Sequence, residues 1–438
     1  MVEATTIIAL LYAVVSGMLA VLHSVRVGRV TLLDWALLAM GGMYGLGWPL
    51  VLHATLMGDN PSWAYWILPF KNLYLIHNFA AFLLLFGVLA GWYLLAPFWN
   101  KYSTVRVMGS KSMENHWSLA FWILLVLAFA AQGLYSMAYG GFFGQLEYSA
   151  AIRSSRFDVV PYNHLSFLKP FGGLALIAAF GFFGLRLSGK RALMVNLGLI
   201  FAFAFSLFVL YGWLGRIGFL VFIITFPLAA ALHRVRSPLW LLLGGAAFFV
   251  MILLGAYLVS MWLNIKSADS LWAFLGRELS FPFGSFFAQL DRGEHLSRGF
   301  YDFALTPLYA LPSSLWGQWV EPVSQINTII IMGASKGEAG VTGAIPVDLL
   351  TLGLMQIHLP GVMLTALLFG ALLRALESFL QRIQNPGVQR AFEANIAFSV
   401  AIFGVFYSQP NLVVSGNIHW VAAALVFLIF TRIPLVRV

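Results

Sequence analysis

Between Ala192 and Leu232 the chain carries a single charged side chain, Arg216. It stands in Tyr211-Gly-Trp-Leu-Gly-Arg216-Ile-Gly-Phe-Leu, with an apolar run on each side and no polar linker. Apolar runs of this kind satisfy their backbone in a bilayer as helices, and each crossing needs about 20 residues. Two crossings fit, which puts Arg216 at the apex of a helical hairpin, at or slightly below the membrane surface. A charge near that depth costs about 3 kcal/mol on insertion scales, so it reads as functional and as facing an anionic partner. The alternative is an arginine that snorkels to lipid headgroups.

The rest of the chain follows the same pattern. Of 438 residues, 61% are hydrophobic and 9% charged, too little polar surface to cover a soluble domain. The apolar runs are continuous rather than alternating, which excludes an outer-membrane barrel. With no cysteine in the sequence, disulfides and thiolate metal sites are ruled out. The run Ile7–Leu22 has no clear small-residue cleavage signal after it and reads as a retained first helix. The expected fold is an all-α polytopic membrane protein forming one transmembrane domain over 1–438. Its spans are placed near 5–22, 31–54, 72–96, 117–137, 171–185, 192–214, 217–232, 238–263, 346–373, 391–408 and 418–433.

Basic clusters follow alternate spans: Arg26/Arg29, Lys101/Arg106/Lys111, Arg186/Lys190/Arg191, Arg234/Arg236, Arg374/Arg382/Arg390 and Arg432/Arg437. By the positive-inside rule these ends are cytoplasmic, the N-terminus is outside and the C-terminus inside. The net charge of +9 is spread over short loops, which is not a nucleic-acid signature.

Two outer segments are long: a loop over 138–171, and a segment over 264–345 between the eighth and ninth spans. Loops of this length are usually functional. Both are aromatic-rich, as in Trp272-Ala-Phe-Leu-Gly-Arg-Glu-Leu-Ser-Phe-Pro-Phe, which suggests short amphipathic helices lying on the outer surface. They place Arg153, Arg156, Arg277, Arg292, Arg298, Glu278 and Asp302 on the same side as the Arg216 apex. Guanidinium groups pair bidentately with phosphate oxygens and stay charged at any pH, so a lipid-linked phosphate or pyrophosphate fits. For a single loop arginine such as Arg292, an exposed ion pair is the competing explanation.

Absent motifs narrow the field. The first outer loop, Gly58-Asp-Asn-Pro-Ser-Trp-Ala-Tyr, has Asp59 alone, a poor site for a hard divalent cation. The histidines do not fall at metal spacing, so neither a metal nor another cofactor is expected. There is no nucleotide-binding phosphate loop. Asp34, Asp348 and Glu393 read as lying near span ends, unlike the mid-helix carboxylates of ion-coupled transporters.

The order of a Gly-Arg hairpin apex, a further hairpin and a long outer segment resembles a known family. Within that segment stand Leu275-Gly-Arg277-Glu-Leu-Ser-Phe-Pro, Leu308-Tyr-Ala-Leu-Pro-Ser-Ser-Leu-Trp316 and Gly340-Val-Thr-Gly-Ala-Ile-Pro-Val-Asp, followed by Pro360-Gly361. Over about residues 190–375 these are similar to the Wzy-type oligosaccharide repeat-unit polymerases of bacterial surface polysaccharides, such as the O-antigen and enterobacterial common antigen polymerases. The resemblance implies a GT-C-like fold in the bacterial inner membrane, with 264–345 as the catalytic segment. It implies a glycosyltransferase that moves a glycan from undecaprenyl pyrophosphate onto an incoming lipid-linked repeat unit at the periplasmic face, without metal. Implied partners are undecaprenyl-pyrophosphate-linked oligosaccharides, membrane lipids, a flippase and a chain-length regulator.

On this resemblance Arg216 and Arg277 are the pyrophosphate clamps, with Glu278 beside them in the catalytic set. Arg153, Arg156, Arg292, Arg298 and Asp302 are substrate-binding candidates. The base that deprotonates the acceptor hydroxyl stays open among Glu278, Asp302, Glu338 and His295. The Arg-x10-Gly pattern of some members is absent: eleven residues past Arg153, Arg277 and Arg292 stand His164, Ala288 and Phe303. Two other readings stay open, an O-antigen-ligase-type transferase and a membrane transporter or flippase. The related ligases carry a histidine near the end of the long segment, where this chain has none before His358.

Overall fold

The structure is a computed structural model that describes residues 2–94, 111–153, 159–213, 216–262, 270–292, 297–311, 315–317, 319–341 and 343–431. The side chains of Arg153 and Arg216, at helix ends, lie outside that description. All regular structure among the described residues is helical.

The first helix, α1, runs Val2–Val27. The next long rod joins α2 (Leu32–Met40), a π-helical segment Gly41–Gly47 and α3 (Trp48–Leu56). A short α4 (Pro61–Ile67) and a 3-10 segment Leu68–Leu73 lead into α5 (Tyr74–Leu94). Then come α6 (Lys111–Ser136) and α7 (Phe142–Arg153). A 3-10 strip, Ser166–Gly173, runs into α8 (Leu174–Leu187). The hairpin of α9 (Leu193–Trp213) and α10 (Arg216–Arg234) is followed by α11 (Pro238–Trp262).

The segment after α11 folds into α12 (Leu271–Glu278), α13 (Phe281–Arg292), α14 (Tyr301–Ala304), a 3-10 turn Thr306–Ala310 and α15 (Val323–Met332). The chain closes with α16 (Leu349–Leu380), α17 (Pro386–Ile396), a second π-helical segment Ala397–Ile402, α18 (Phe403–Phe406) and α19 (Pro410–Thr431).

Among the described residues, 7 helices are long and apolar enough to cross a membrane, and four shorter apolar helices lie at or within the remaining expected spans or in the long segment. Their lengths follow from apolar runs with almost no interior charge, the requirement for a membrane helix. Its described residues are thus all-helical, with the long apolar helices of a membrane-embedded protein.

Contacts define one end of the bundle. Arg29 Nη2 meets Glu377 Oε1 at 2.5 Å, and the Glu377 carboxylate also accepts the Leu32 amide at 3.1 Å. Arg374 lies over the Trp92 ring at 5.1 Å. The Ser188 hydroxyl donates to Asn385 Oδ1 at 2.7 Å, and Arg390 pairs with Glu393 at 2.6 Å. The basic clusters that follow α1, α8 and α16 therefore gather at the same end, as their alternation along the sequence demands. Beneath them α5 and α16 pack along their length, with Gly87, Gly91 and Gly370 at the seam. A Cβ on Gly91 would collide with the Leu367 carbonyl and one on Gly370 with that of Val88. Small residues at such a seam let two membrane helices approach backbone to backbone.

Two expectations need correction. The helices after α11 do not all lie on a surface. Residues Pro282–Gln289 of α13 are buried, with Phe283, Phe286 and Phe287 fully enclosed. Phe283 sits 5.1 Å from the Trp48 ring, and Phe286 5.0 Å from that of His77. The alternation of aromatic and small residues that reads as an interfacial helix instead fills a slot between α3 and α5.

The second correction concerns the span expected over 346–373. At Ile357 (φ −150°, ψ 49°) and His358 (φ 60°, ψ −146°) α16 leaves the helical region, which divides it into Leu349–Gln356 and Leu359–Leu380. Gly353 and Gly361 then touch, so a Cβ on Gly353 would lie 2.6 Å from Val362 Cα. Eight residues span about 12 Å in a straight helix. The contact therefore requires the short arm to double back on the long one.

Candidate functional site

The hairpin break in α16 is held by the segment after α13. The last turn before the break leaves carbonyls without intrahelical partners. The Met355 carbonyl accepts the Arg298 amide at 3.1 Å, and the Gln356 carbonyl accepts the Gly299 amide at 2.8 Å. Gly299 and Phe300 have φ of 58° and 61°, and glycine makes the first of these left-handed conformations accessible.

The side chains continue the weld. Arg298 Nε donates to Asp302 Oδ2 at 2.7 Å and Nη2 to Oδ1 at 2.8 Å. Nη2 also donates to the Glu321 carbonyl at 3.0 Å, and Gln356 Nε2 donates to Asp302 Oδ2 at 3.0 Å. Asp302 is buried. Burial works against the Arg298 charge, yet the hydrogen bonds and charge of Asp302 outweigh it and hold the guanidinium above its ordinary pKa. Tyr309 is pushed up to about 12 by burial, with the Asp302 charge adding to the effect.

Both carboxylate oxygens of Asp302 are therefore engaged, by Arg298 and Gln356. Beside this weld His358 is exposed, on a backbone conformation rare for a residue with a Cβ. Strain of that kind persists where the surroundings over-determine it and clusters at functional positions. In the sequence, Pro360 two residues after His358 marks the break.

The second feature is a cavity of about 240 Å³ that meets the α9–α10 hairpin next to its apex. Trp213 and Gly218, on either side of Arg216, line it, together with Asn395, Ser399, Asn417 and His419. These four polar residues come from the two last apolar runs of the chain and were not singled out in the sequence. Polar side chains converging in a mainly apolar cavity are the usual composition of a small-molecule site.

The other site residues rest on different supports. Arg277 is partly buried on the last turn of α12, where its Nε donates to the Ala273 carbonyl at 3.3 Å. α12 packs on α3, with Gly276 against Ala54. Glu278 is exposed, and its charge reaches Tyr407, whose ring stacks on Phe281 at 5.5 Å. Arg292 is exposed at the end of α13. Among the remaining candidate bases, Glu338 is exposed and accepts the Ser335 amide at 3.3 Å. Arg156 and His295, and the side chains of Arg153 and Arg216, lie outside the described residues, as do Pro312, Ser313, Ser314 and Thr342 of the sequence motifs.

Asp348 was expected near a span end. It is fully buried, caps the short arm of α16 through the Leu350 amide at 3.2 Å, and accepts the Tyr44 hydroxyl at 2.7 Å from the π-helical segment of the second rod. His77 lies among Trp48, Phe283 and Phe286, a packing position. Among the described residues no three His, Asp or Glu side chains gather in a way that would hold a metal ion.

No protein-family model matches the chain, and no curated protein or solved structure is significantly similar to it.

Proposed function

We propose that this protein is a lipid-linked oligosaccharide polymerase of the bacterial inner membrane. It joins undecaprenyl-pyrophosphate-linked repeat units at the periplasmic face, with about eleven spans, an outside N-terminus and an inside C-terminus. The observation that carries the reading is the 240 Å³ cavity that Trp213 and Gly218, on either side of Arg216, line together with Asn395, Ser399, Asn417 and His419.

In this reading Arg216 and Arg277 bind the pyrophosphate. Charge grows on that leaving group as the anomeric bond breaks, and a fixed guanidinium stabilises it more in the transition state than in the ground state. Loss of one preorganised donor of this type costs about 3 kcal/mol of barrier. Arg298 and Asp302 act by fixing the α16 hairpin. His358, exposed at the hairpin tip, takes the proton of the acceptor hydroxyl. The test is incubation of the purified protein with lipid-linked repeat units. A ladder of products spaced by one repeat supports the polymerase, and a single transfer to a lipid A core acceptor supports a ligase instead.

One observation favours a transporter as the second reading. A broken helix with a buried carboxylate at its N-terminus, beside π-helical interruptions in two other rods, is the type of interior found at transporter ion sites. Movement of lipid-linked sugar across liposomes without bond formation would select it.

A further inference from the structure

The cavity at the hairpin apex shares a wall with a second one, of about 380 Å³. The second lies between α16, α17 with the π-helical segment that follows it, and α19. Ser399, Asn417 and Trp420 line both cavities. Beyond these three the second cavity is walled by apolar side chains, Leu376, Phe379, Ile396 and Phe427 among them. Ser399 stands on the π-helical turn, a local widening of the helix that recurs at functional sites.

Together the two cavities run from one end of the bundle to the other. α9 begins just after the turn whose Ser188 meets Asn385, and its 21 residues rise about 30 Å to the hairpin apex. The first cavity touches that apex through Trp213 and Gly218. The second reaches Leu380 and Ile383, which lie between Glu377 and Asn385 at the basic end. Along α19 its lining extends from Asn417 to Phe427, about 15 Å past the shared wall. The second cavity also opens sideways: Leu372 of α16 is 43% exposed and Val421 of α19 63%, and both line it.

A lipid can therefore enter between α16 and α19 with its polar end in the first cavity and its chain in the second. Length decides which lipid. The hydrocarbon core is about 30 Å thick, so an acyl chain rooted at one face ends near the midplane, about 15 Å down. An occupant rooted at the apex and reaching Ile383 needs about twice that. We infer that the second cavity holds the polyprenyl chain of the lipid-linked substrate, threaded past Ser399, Asn417 and Trp420, and that its length selects a long isoprenoid over a phospholipid. The inference rests on the reading of the apex cavity as the pyrophosphate end. It adds the place of the tail and the flank of the bundle by which the substrate arrives.

The test is photocrosslinking of the full-length protein in phosphatidylcholine liposomes. One probe is undecaprenyl phosphate with a diazirine at the far end of its chain, and the other is phosphatidylcholine with a diazirine at the end of one acyl chain. Labelled peptides are mapped by mass spectrometry. The polyprenyl probe is expected to mark residues 372–383 and 421–427 at least fivefold more than the acyl probe does. Excess unlabelled undecaprenyl phosphate displaces it, and the same excess of phosphatidylglycerol does not. Ala424→Trp, which fills the second cavity, lowers this marking at least fivefold. A size-exclusion profile matching the unaltered protein shows that the variant is folded; should it fail that check, the competition in the unaltered protein decides. Equal marking of the two stretches by both probes overturns the inference, as does polyprenyl marking spread evenly over the apolar helices. Polymerisation by the same preparation separates the two failures: a product ladder with labels elsewhere removes the tail site alone, and labels at the two stretches with no ladder keep the tail site and remove the polymerase.

Discussion

Arg298 and Asp302 are joined by two hydrogen bonds, at 2.7 and 2.8 Å, one helical turn apart, and Asp302 is at the same time bound by Gln356 at the break in α16. The pair ties a segment that follows α13 to a helix that begins about 50 residues later. Removing one partner strands a buried charge, which costs about 3–5 kcal/mol. Asp302→Ala is therefore expected to lower the thermal midpoint in detergent by several degrees, and Asp302→Ala with Arg298→Met to recover part of the loss. A single variant that melts with the unaltered protein removes the pair from the account of the hairpin.

The hairpin depends on backbone contact between Gly353 and Gly361. Gly361→Ala adds a Cβ that meets the Gly353 carbonyl, so the arms must part. Overpacking of this kind costs about 1–3 kcal/mol. The expected readout is a lowered melting temperature, with faster proteolysis between Ala344 and Leu359. Gly343→Ala, where a Cβ meets nothing within 4 Å, is the control and should behave as the parent does.

His358 separates stability from function. Its φ of 60° with ψ of −146° is a region that glycine enters freely. His358→Gly should raise stability by about 1 kcal/mol, the usual cost of such strain, while turnover falls by at least 100-fold for loss of a proton acceptor. His358→Ala should lose turnover equally without the gain in stability. A fully active His358→Gly would return the base to Glu278, Glu338 or His295.

The chain has no cysteine, so single-cysteine variants report accessibility without background. Tyr162→Cys is placed at a position 79% exposed in the first long loop, and Val235→Cys at one 39% exposed next to Arg234 and Arg236. A membrane-impermeant maleimide added to intact cells is expected to label position 162 and to spare position 235 until the membrane is opened. The reverse pattern inverts the orientation.

Much of the bundle was legible because each apolar run between basic clusters is long enough to be one helix and little else. The α16 hairpin was hidden because the sequence is equally apolar on both sides of His358, and hydropathy does not register a change of direction. The burial of α13 was hidden for a related reason. Phe281-Pro-Phe-Gly-Ser-Phe-Phe has the composition of an interfacial helix, and only the slot between α3 and α5 shows that all its faces are covered.

At the site, Arg298 and Asp302 stood out as charged loop residues at a spacing that suits a helical pair, but the spacing does not say whether they face a ligand or each other. Asn395, Ser399 and Asn417 were readable as polar residues inside apolar runs. That is a signal in its own right, because a membrane helix bears such groups at a cost. Arg216 stands out in the sequence by its isolation, and its side chain lies outside the described residues.

The most direct measurement is polymerisation by the purified protein on undecaprenyl-pyrophosphate-linked repeat units, comparing the parent, Arg216→Lys and Arg216→Ala. The account expects a product ladder from the parent, a shortened and slower ladder from the lysine variant, and a loss of about 100-fold or more in rate from the alanine variant, the scale of one preorganised donor. An unchanged ladder from Arg216→Ala, or no ladder from the parent protein, contradicts it.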